Sequence, residues 1–249
     1  MEKTNDKKVI IDDSMKTSNT VQKEELSKRN IFLSNTKKVG LNGNKFFSLS
    51  FSTKSGKSDL GERKINQDSI LIITNIFGLE DFHIFGILDG HGEDGHLISS
   101  YTKDFLKSYF TCFQIYDIMK NKECNGTHCN LYQIECDPIK QSPKFKEDYI
   151  YEKLTENNYF LIKQSFILAE ENLGSTNFKI NLGGTTCVLM IIIAGKVICS
   201  NVGDSRAILI KENDEEYQVV NLSRDHKPDI NTERTRIENM GGIIKRSIL

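Results

Sequence analysis

The sequence lacks any long apolar run, since the longest one covers only residues 187–194. A membrane-spanning helix needs about 20 such residues, so no membrane span is expected. The start of the chain also lacks the apolar core of a secretory signal peptide, and Glu2 stands where N-myristoylation requires glycine. We therefore expect a protein of the cytoplasm or nucleus that has no membrane partner.

The sequence also lacks an excess of either charge, with 33 Lys and Arg against 34 Asp and Glu. Such a balance argues against a nucleic-acid-binding surface, which would be strongly basic. Residues 1–45 are polar, hold ten basic against six acidic residues, and contain few clustered apolar side chains. This composition predicts a disordered polar tail over 1–45, followed by one domain over 46–249.

Six cysteines are present, and in the expected compartment they should be reduced thiols. A polar stretch over about 112–157 predicts a low-complexity insertion in a surface connection. It contains Cys124, His128, Cys129 and Cys136, whose spacing is not that of a standard zinc finger. Incidental thiols in a loop are the favoured interpretation, and a zinc site is the alternative.

Apolar alternation and turn residues predict strands over 46–51, 69–74, 82–88, 187–193, 197–202, 206–210 and 217–222. Helices are predicted over 94–110, 150–173 and 229–239. Short connections between several strands indicate antiparallel pairing. Strands and helices in separate groups favour an α+β fold over alternating βαβ units.

One short motif, Asp89-Gly90-His91-Gly92, follows the apolar strand 82–88. A hard divalent cation takes oxygen ligands, which the Asp89 carboxylate and the unobstructed Gly90 carbonyl supply. His91 can then donate a proton near neutral pH. The alternative is an ordinary Asp-Gly turn with a solvated histidine.

Two further segments add charged groups at strand ends. Arg63 can form two hydrogen bonds to a phosphate, or it can be a surface ion pair. Asp68 can join a metal site, or it can simply begin the strand at 69–74. Asp204 follows Gly203 after the strand 197–202, where a plain β-turn is the alternative.

Together with Gly183-Gly184-Thr185-Thr186 and the segment 222–228, these motifs occur in the order found in the PPM family. The chain from about residue 46 to its end resembles these metal-dependent, type 2C protein serine/threonine phosphatases. The resemblance implies a four-layer α/β/β/α sandwich, in which two antiparallel sheets are flanked by helices. It also implies Mg²⁺ or Mn²⁺, two ions per site and possibly a third, together with phosphoprotein substrates and a monomeric enzyme.

The same resemblance implies a role for each residue of the site. Asp89 would bridge two metal ions, Gly90 would coordinate one through its carbonyl, and Asp68 would bind beside them. Arg63 would hold the substrate phosphate, and His91 would protonate the departing alkoxide. Asp204 matches a position that recruits a further metal ion.

Other motif residues are expected to be structural. Arg206 is expected to pair with a carboxylate, and His226 to cap the helix after Pro228. The pair Thr185-Thr186 is expected to serve packing and turn formation.

Two departures from the family pattern matter. Gln67 stands where many relatives carry Glu, which removes one negative charge but leaves hydrogen bonding to a metal-bound water possible. Two further aspartate motifs of the pattern are absent before Leu249, as are the last strands. We therefore expect weak metal binding and slow or absent turnover, as in a fragment of a longer active enzyme. The alternative is a non-catalytic phosphatase-fold module that binds partners.

Overall fold

The structure is a computed structural model that describes residues 32–41, 45–111, 147–212 and 216–245. The chain divides into two compact units, Met1–Asn66 and Gln67–Leu249. The four cysteine and histidine positions of the predicted insertion, and with them the zinc alternative, lie outside the described residues. Within the described ranges, no helix combines the length and the apolar character needed to cross a membrane.

The first unit contains two antiparallel strands, β1 (Phe32–Leu41) and β2 (Lys45–Ser52). Strand β1 lies inside the segment predicted as a disordered tail over 1–45, so that prediction is wrong for 32–41. The reason is pairing, because β2 satisfies the backbone groups of a strand whose own sequence is polar and shows no clear alternation. Residues 1–31 lie outside the described part of the chain.

The second unit holds the remaining elements. In chain order they are β3 (Ser69–Ile73), β4 (Phe82–Leu88), β5 (Gly90–His91), α1 (Gly95–Thr111), α2 (Glu147–Leu173), β6 (Gly184–Thr185), β7 (Cys187–Ile193), β8 (Lys196–Val202), β9 (Ile208–Glu212), β10 (Tyr217–Asn221) and α3 (Asn231–Asn239). Four strands form one sheet in the order β3-β4-β7-β8, and every neighbouring pair is antiparallel. Two smaller pairs, β5-β6 and β9-β10, are also antiparallel.

Helices α1 and α2 cover the face of the sheet formed by alternate strand residues. The side chains of Ile84, Leu189 and Ile191 on that face are fully buried. They share one apolar cluster with Leu106 of α1 and Leu154 of α2. Because side chains alternate across a strand, each strand commits every second residue to this core and fixes the register of the sheet.

The predicted elements agree with those observed. Strands 82–88 and 187–193 have the predicted bounds. The other five predicted strands, and the first and third predicted helices, start and end within two residues of the observed elements. The α+β class, with antiparallel sheets flanked by helices, is therefore confirmed.

Helix α2 begins earlier than predicted, at Glu147, so the end of the predicted insertion over 112–157 is helical instead. Ile150 and Leu154 are buried one turn apart, and this burial stabilises the helical start. The backbone then leaves the helical region at 156–159, where Asn157 and Asn158 adopt positive φ angles of 51° and 57°. Asparagine tolerates that conformation better than other residues with a Cβ.

Candidate active site

The start of β3 and the end of β4 lie side by side, and this brings two predicted metal ligands together. Ser69 of β3 pairs with Leu88 of β4. One residue further along this register, Asp68 lies opposite Asp89. Neighbouring strands are only about 4.8 Å apart, so the two carboxylates are within reach of each other. Asp68 is close enough to raise the pKa of Asp89 through its negative charge and, when one of the two carboxyl groups is protonated, through a hydrogen bond.

Strands β7 and β8 extend this row across the sheet. The backbone N–H of Thr186 donates to the carbonyl oxygen of Asp89 at 2.9 Å. The first residue of β7 pairs with the last residue of β8, so Thr186 lies opposite Gly203, and Asp204 follows. Two strand spacings, roughly 10 Å, therefore separate the Asp89 and Gly203 positions. The row across the four strands is Asp68, Asp89, Thr186, Gly203.

The carboxylates of this row repel one another. The pKa of Asp89 is raised above its usual value, first by burial and then by the negative charges of Asp68 and Asp204. His91 acts in the opposite direction and lowers that pKa. Charged carboxylates crowded in this way are unfavourable without a cation, and a divalent ion would offset their repulsion.

Gly90 permits a close approach of three backbone segments. A Cβ on Gly90 would lie 2.3 Å from the carbonyl oxygen of Gly95 and 2.6 Å from that of Gln67. The Gly90 N–H donates to the same Gln67 carbonyl at 3.2 Å. A side chain at position 90 would therefore push the loop away from the start of α1.

The side chain of Gln67 holds this loop as well. Its amide Nε2 donates to the carbonyl oxygen of Gly92 at 2.7 Å. A glutamate carboxylate at that position would have no proton to donate at neutral pH. The sequence left hydrogen bonding from Gln67 to a metal-bound water possible, and the observed hydrogen bond goes to the backbone of the loop.

His91 lies on the strand pair β5-β6, opposite Gly184. A Cβ on Gly184 would lie 2.9 Å from Cε1 and 3.2 Å from Nε2 of the imidazole ring. The ring therefore rests directly over Gly184, and only glycine leaves room for it there. The His91 side chain remains exposed, so a proton on it is accessible from solvent.

The loop that carries Asp204 is held by the segment 224–227. Gly203 has a φ of 98°, its N–H donates to His226 Nδ1 at 3.3 Å, and its carbonyl accepts the His226 N–H at 3.0 Å. Asn201 Nδ2 donates to the carbonyl oxygens of Gly203 and Arg224.

His226 thus holds the loop that carries Asp204 in place. The N-cap of α3 is Ile230, which makes no side-chain hydrogen bond as a cap. The predicted helix-capping role of His226 is wrong.

The predicted structural role of Arg206 is confirmed. Its guanidinium donates two hydrogen bonds to Asp225, Nε to Oδ1 at 2.9 Å and Nη2 to Oδ2 at 2.8 Å. The bidentate bond to Arg206 is the main cause that lowers the pKa of Asp225 to about 2, and Lys227 adds to it. Lys227 Nζ also lies 3.9 Å from Asp204 Oδ2, at the outer limit of an ion pair.

Arg63 belongs to the first compact unit. Its backbone forms an isolated antiparallel bridge with Lys57.

The donor set suits a hard divalent cation. Asp68 and Asp89 supply carboxylates from opposite positions of neighbouring strands, and Mg²⁺ or Mn²⁺ completes its shell with water when protein ligands are few. Within the described ranges, no group of three or more His, Cys, Asp or Glu side chains is close enough to hold a metal ion. Asp204 acts on Asp89 through its negative charge, which raises the pKa of the Asp89 carboxyl.

The family model described as "Protein phosphatase 2C" matches residues 79–248. The chain belongs to the protein phosphatase 2C family.

Similar proteins include two from rice, Oryza sativa subsp. japonica. "Probable protein phosphatase 2C 75" is 28% identical over 188 residues, which are 73% of this chain and 43% of that protein. "Probable protein phosphatase 2C 55" is 30% identical over 184 residues, which are 74% of this chain and 38% of that protein. The chain thus spans about two fifths of the length of these relatives.

A solved structure of a serine-threonine phosphatase 2C from Toxoplasma gondii is similar to this chain. The match covers 72% of this chain and 51% of the Toxoplasma gondii chain. The TM-score is 0.44 and the sequence identity is 19%.

Proposed function

We propose that this protein hydrolyses phosphoserine and phosphothreonine side chains of phosphoproteins with the help of Mg²⁺ or Mn²⁺. The observation that carries the proposal is that Asp68 and Asp89 lie opposite each other at the end of the central sheet, where the charges of Asp68 and Asp204 act on Asp89. Membership of the protein phosphatase 2C family supports the substrate class.

Each group has a task in this reaction. Asp68 and Asp89 would hold the cation, and the Gly90 carbonyl would be a further ligand that no side chain obstructs. When bound, divalent cations activate the attacking water and screen the negative phosphoryl oxygens. Water forms the new bond to phosphorus, and the bond from phosphorus to the Ser or Thr oxygen breaks.

His91 would protonate the departing alkoxide. The Gly184 backbone beneath the ring fixes its place, and the ring remains exposed to an incoming substrate. An imidazole is suited to this step because it carries a proton near neutral pH. By family resemblance, Arg63 would hold the substrate phosphate through two hydrogen bonds.

The test is hydrolysis of a phosphothreonine peptide by the full chain with millimolar MnCl₂. Because few ligating side chains are described, we expect slow phosphate release that stops with EDTA and returns when excess Mn²⁺ is added. Release that is equal with and without EDTA would contradict the metal requirement. Peptide binding without any release in Mn²⁺ would favour the non-catalytic binding module.

A further inference from the structure

The hydroxyl of Thr186 bonds to the loop that carries Asp89 and to the loop that carries Asp204. Its Oγ1 accepts the backbone N–H of Asp89 at 3.1 Å. The same oxygen lies 2.6 Å from Oγ of Ser205, the residue that follows Asp204. Since Oγ1 uses a lone pair for Asp89, its own proton is available for Ser205. One side-chain oxygen thus connects the ends of β4 and β8.

The methyl group of Thr186 makes a second contact with the Asp204 loop. A Cβ on Gly203 would lie 2.7 Å from Thr186 Cγ2, so the methyl packs directly on the glycine backbone. The register explains this position, because Thr186 occupies the strand between the Asp89 and Gly203 positions. At roughly 10 Å, those positions are too far apart for a direct bond, and Thr186 fills the gap.

We propose that Thr186 is a positioning residue, which sets the spacing between the Asp89 and Asp204 carboxylates and thereby the affinity for divalent cations. This inference rests on the proposed function, in which Asp89 helps to hold the cation and the charge of Asp204 acts on Asp89. Residues that orient metal ligands through hydrogen bonds commonly change metal affinity by about 10–100-fold when they are replaced. Thr186 reaches Asp89 through its N–H and Asp204 through the adjacent Ser205, so it acts on both from one atom.

The experiment measures Mn²⁺ binding to the purified full chain by electron paramagnetic resonance of the free ion. Thr186→Val keeps the shape but removes both hydrogen bonds, and we expect about tenfold weaker Mn²⁺ binding. Thr186→Ser keeps the hydroxyl and should stay within about threefold of the unaltered chain. Thermal unfolding midpoints, recorded alongside, show whether each variant folds.

The matched control is Thr185→Val, the same substitution one position earlier. The Thr185 hydroxyl donates to the carbonyl of Thr186 at 2.9 Å and is not bonded to either acidic loop. We expect Thr185→Val to bind Mn²⁺ as the unaltered chain does. Equal losses in Thr185→Val and Thr186→Val would show a general structural effect and overturn the inference.

Other outcomes are equally decisive. If the unaltered chain binds Mn²⁺ and a folded Thr186→Val binds it equally well, the positioning role is wrong while the proposed function stands. If the unaltered chain binds no Mn²⁺, the proposed cation site itself is wrong. If Thr186→Val does not fold, Ser205→Ala removes only the second bond; weaker Mn²⁺ binding supports the inference, and unchanged binding overturns it.

Discussion

Asp89→Asn is expected to slow Mn²⁺-dependent hydrolysis of a phosphothreonine peptide at least about 100-fold, since even residues that only orient metal ligands change affinity by 10–100-fold. The amide keeps the size of the side chain but removes the negative charge that would bind the cation. It also removes a carboxylate whose charged form is disfavoured by burial and by Asp68 and Asp204. The metal-free variant should therefore unfold at a temperature no lower than that of the unaltered chain.

Asp104→Asn provides the matched control for this substitution. Asp104 lies on α1, its side chain is 67% exposed, and it pairs with Lys103. An exposed ion pair of this kind contributes little stability, so both hydrolysis and the unfolding temperature should stay unchanged. If Asp89→Asn hydrolysed the peptide as fast as Asp104→Asn, Asp89 would have no role in the reaction.

Gly90→Ala is expected to destabilise the fold by about 3 kcal/mol and to abolish Mn²⁺ binding. The added methyl would lie 2.3 Å from the Gly95 carbonyl oxygen and 2.6 Å from that of Gln67. Both are backbone atoms, which cannot rotate away as a flexible side chain can. Therefore either the loop around Gly90 or the start of α1 must move, and this movement displaces the neighbouring Asp89 carboxylate.

Gly56→Ala makes the same chemical change where no atom lies within 4 Å of the added methyl. Urea unfolding and Mn²⁺ titration of the two variants would separate the clash from any general effect of replacing glycine. Gly56→Ala should match the unaltered chain in both measurements. A Gly90→Ala chain that also matched it would show that the close approach at Gly90 is not required.

The central sheet was predictable because its strands are apolar and have clear ends. Residues 82–88 and 187–193 are predominantly apolar, polar residues precede both, and both occur with the predicted bounds. Strand β1 could not be predicted in this way. Its stability comes from pairing with β2, and a polar strand carries no local signal of a partner.

Parts of the candidate site depended on register, which the sequence does not reveal. The motifs around Asp68, Asp89 and Asp204 were visible as separate segments, and the family resemblance indicated their association. The place of Thr186 between two of them follows from the pairing of β7 with both β4 and β8. To find the place of Thr186 from the sequence, both the order of the strands and the alternation of residues along them would have to be known.

Gln67 illustrates a second limit. The sequence showed that an amide replaces a carboxylate, and it left a hydrogen bond to a metal-bound water possible. The amide donates to the Gly92 carbonyl, and the Gln67 carbonyl accepts the Gly90 N–H. Such a contact depends on the path of the loop, which no short-range pattern specifies.

The central claim is that the Asp68 and Asp89 side chains share a divalent cation. Crystals of the full chain grown with MnCl₂ would test it directly through the anomalous scattering of manganese. We expect an anomalous peak between the two carboxylates, at about 2.0–2.6 Å from an oxygen of each. A chain that hydrolyses the phosphothreonine peptide with manganese bound elsewhere, or with these two carboxylates more than about 10 Å apart, would contradict the account.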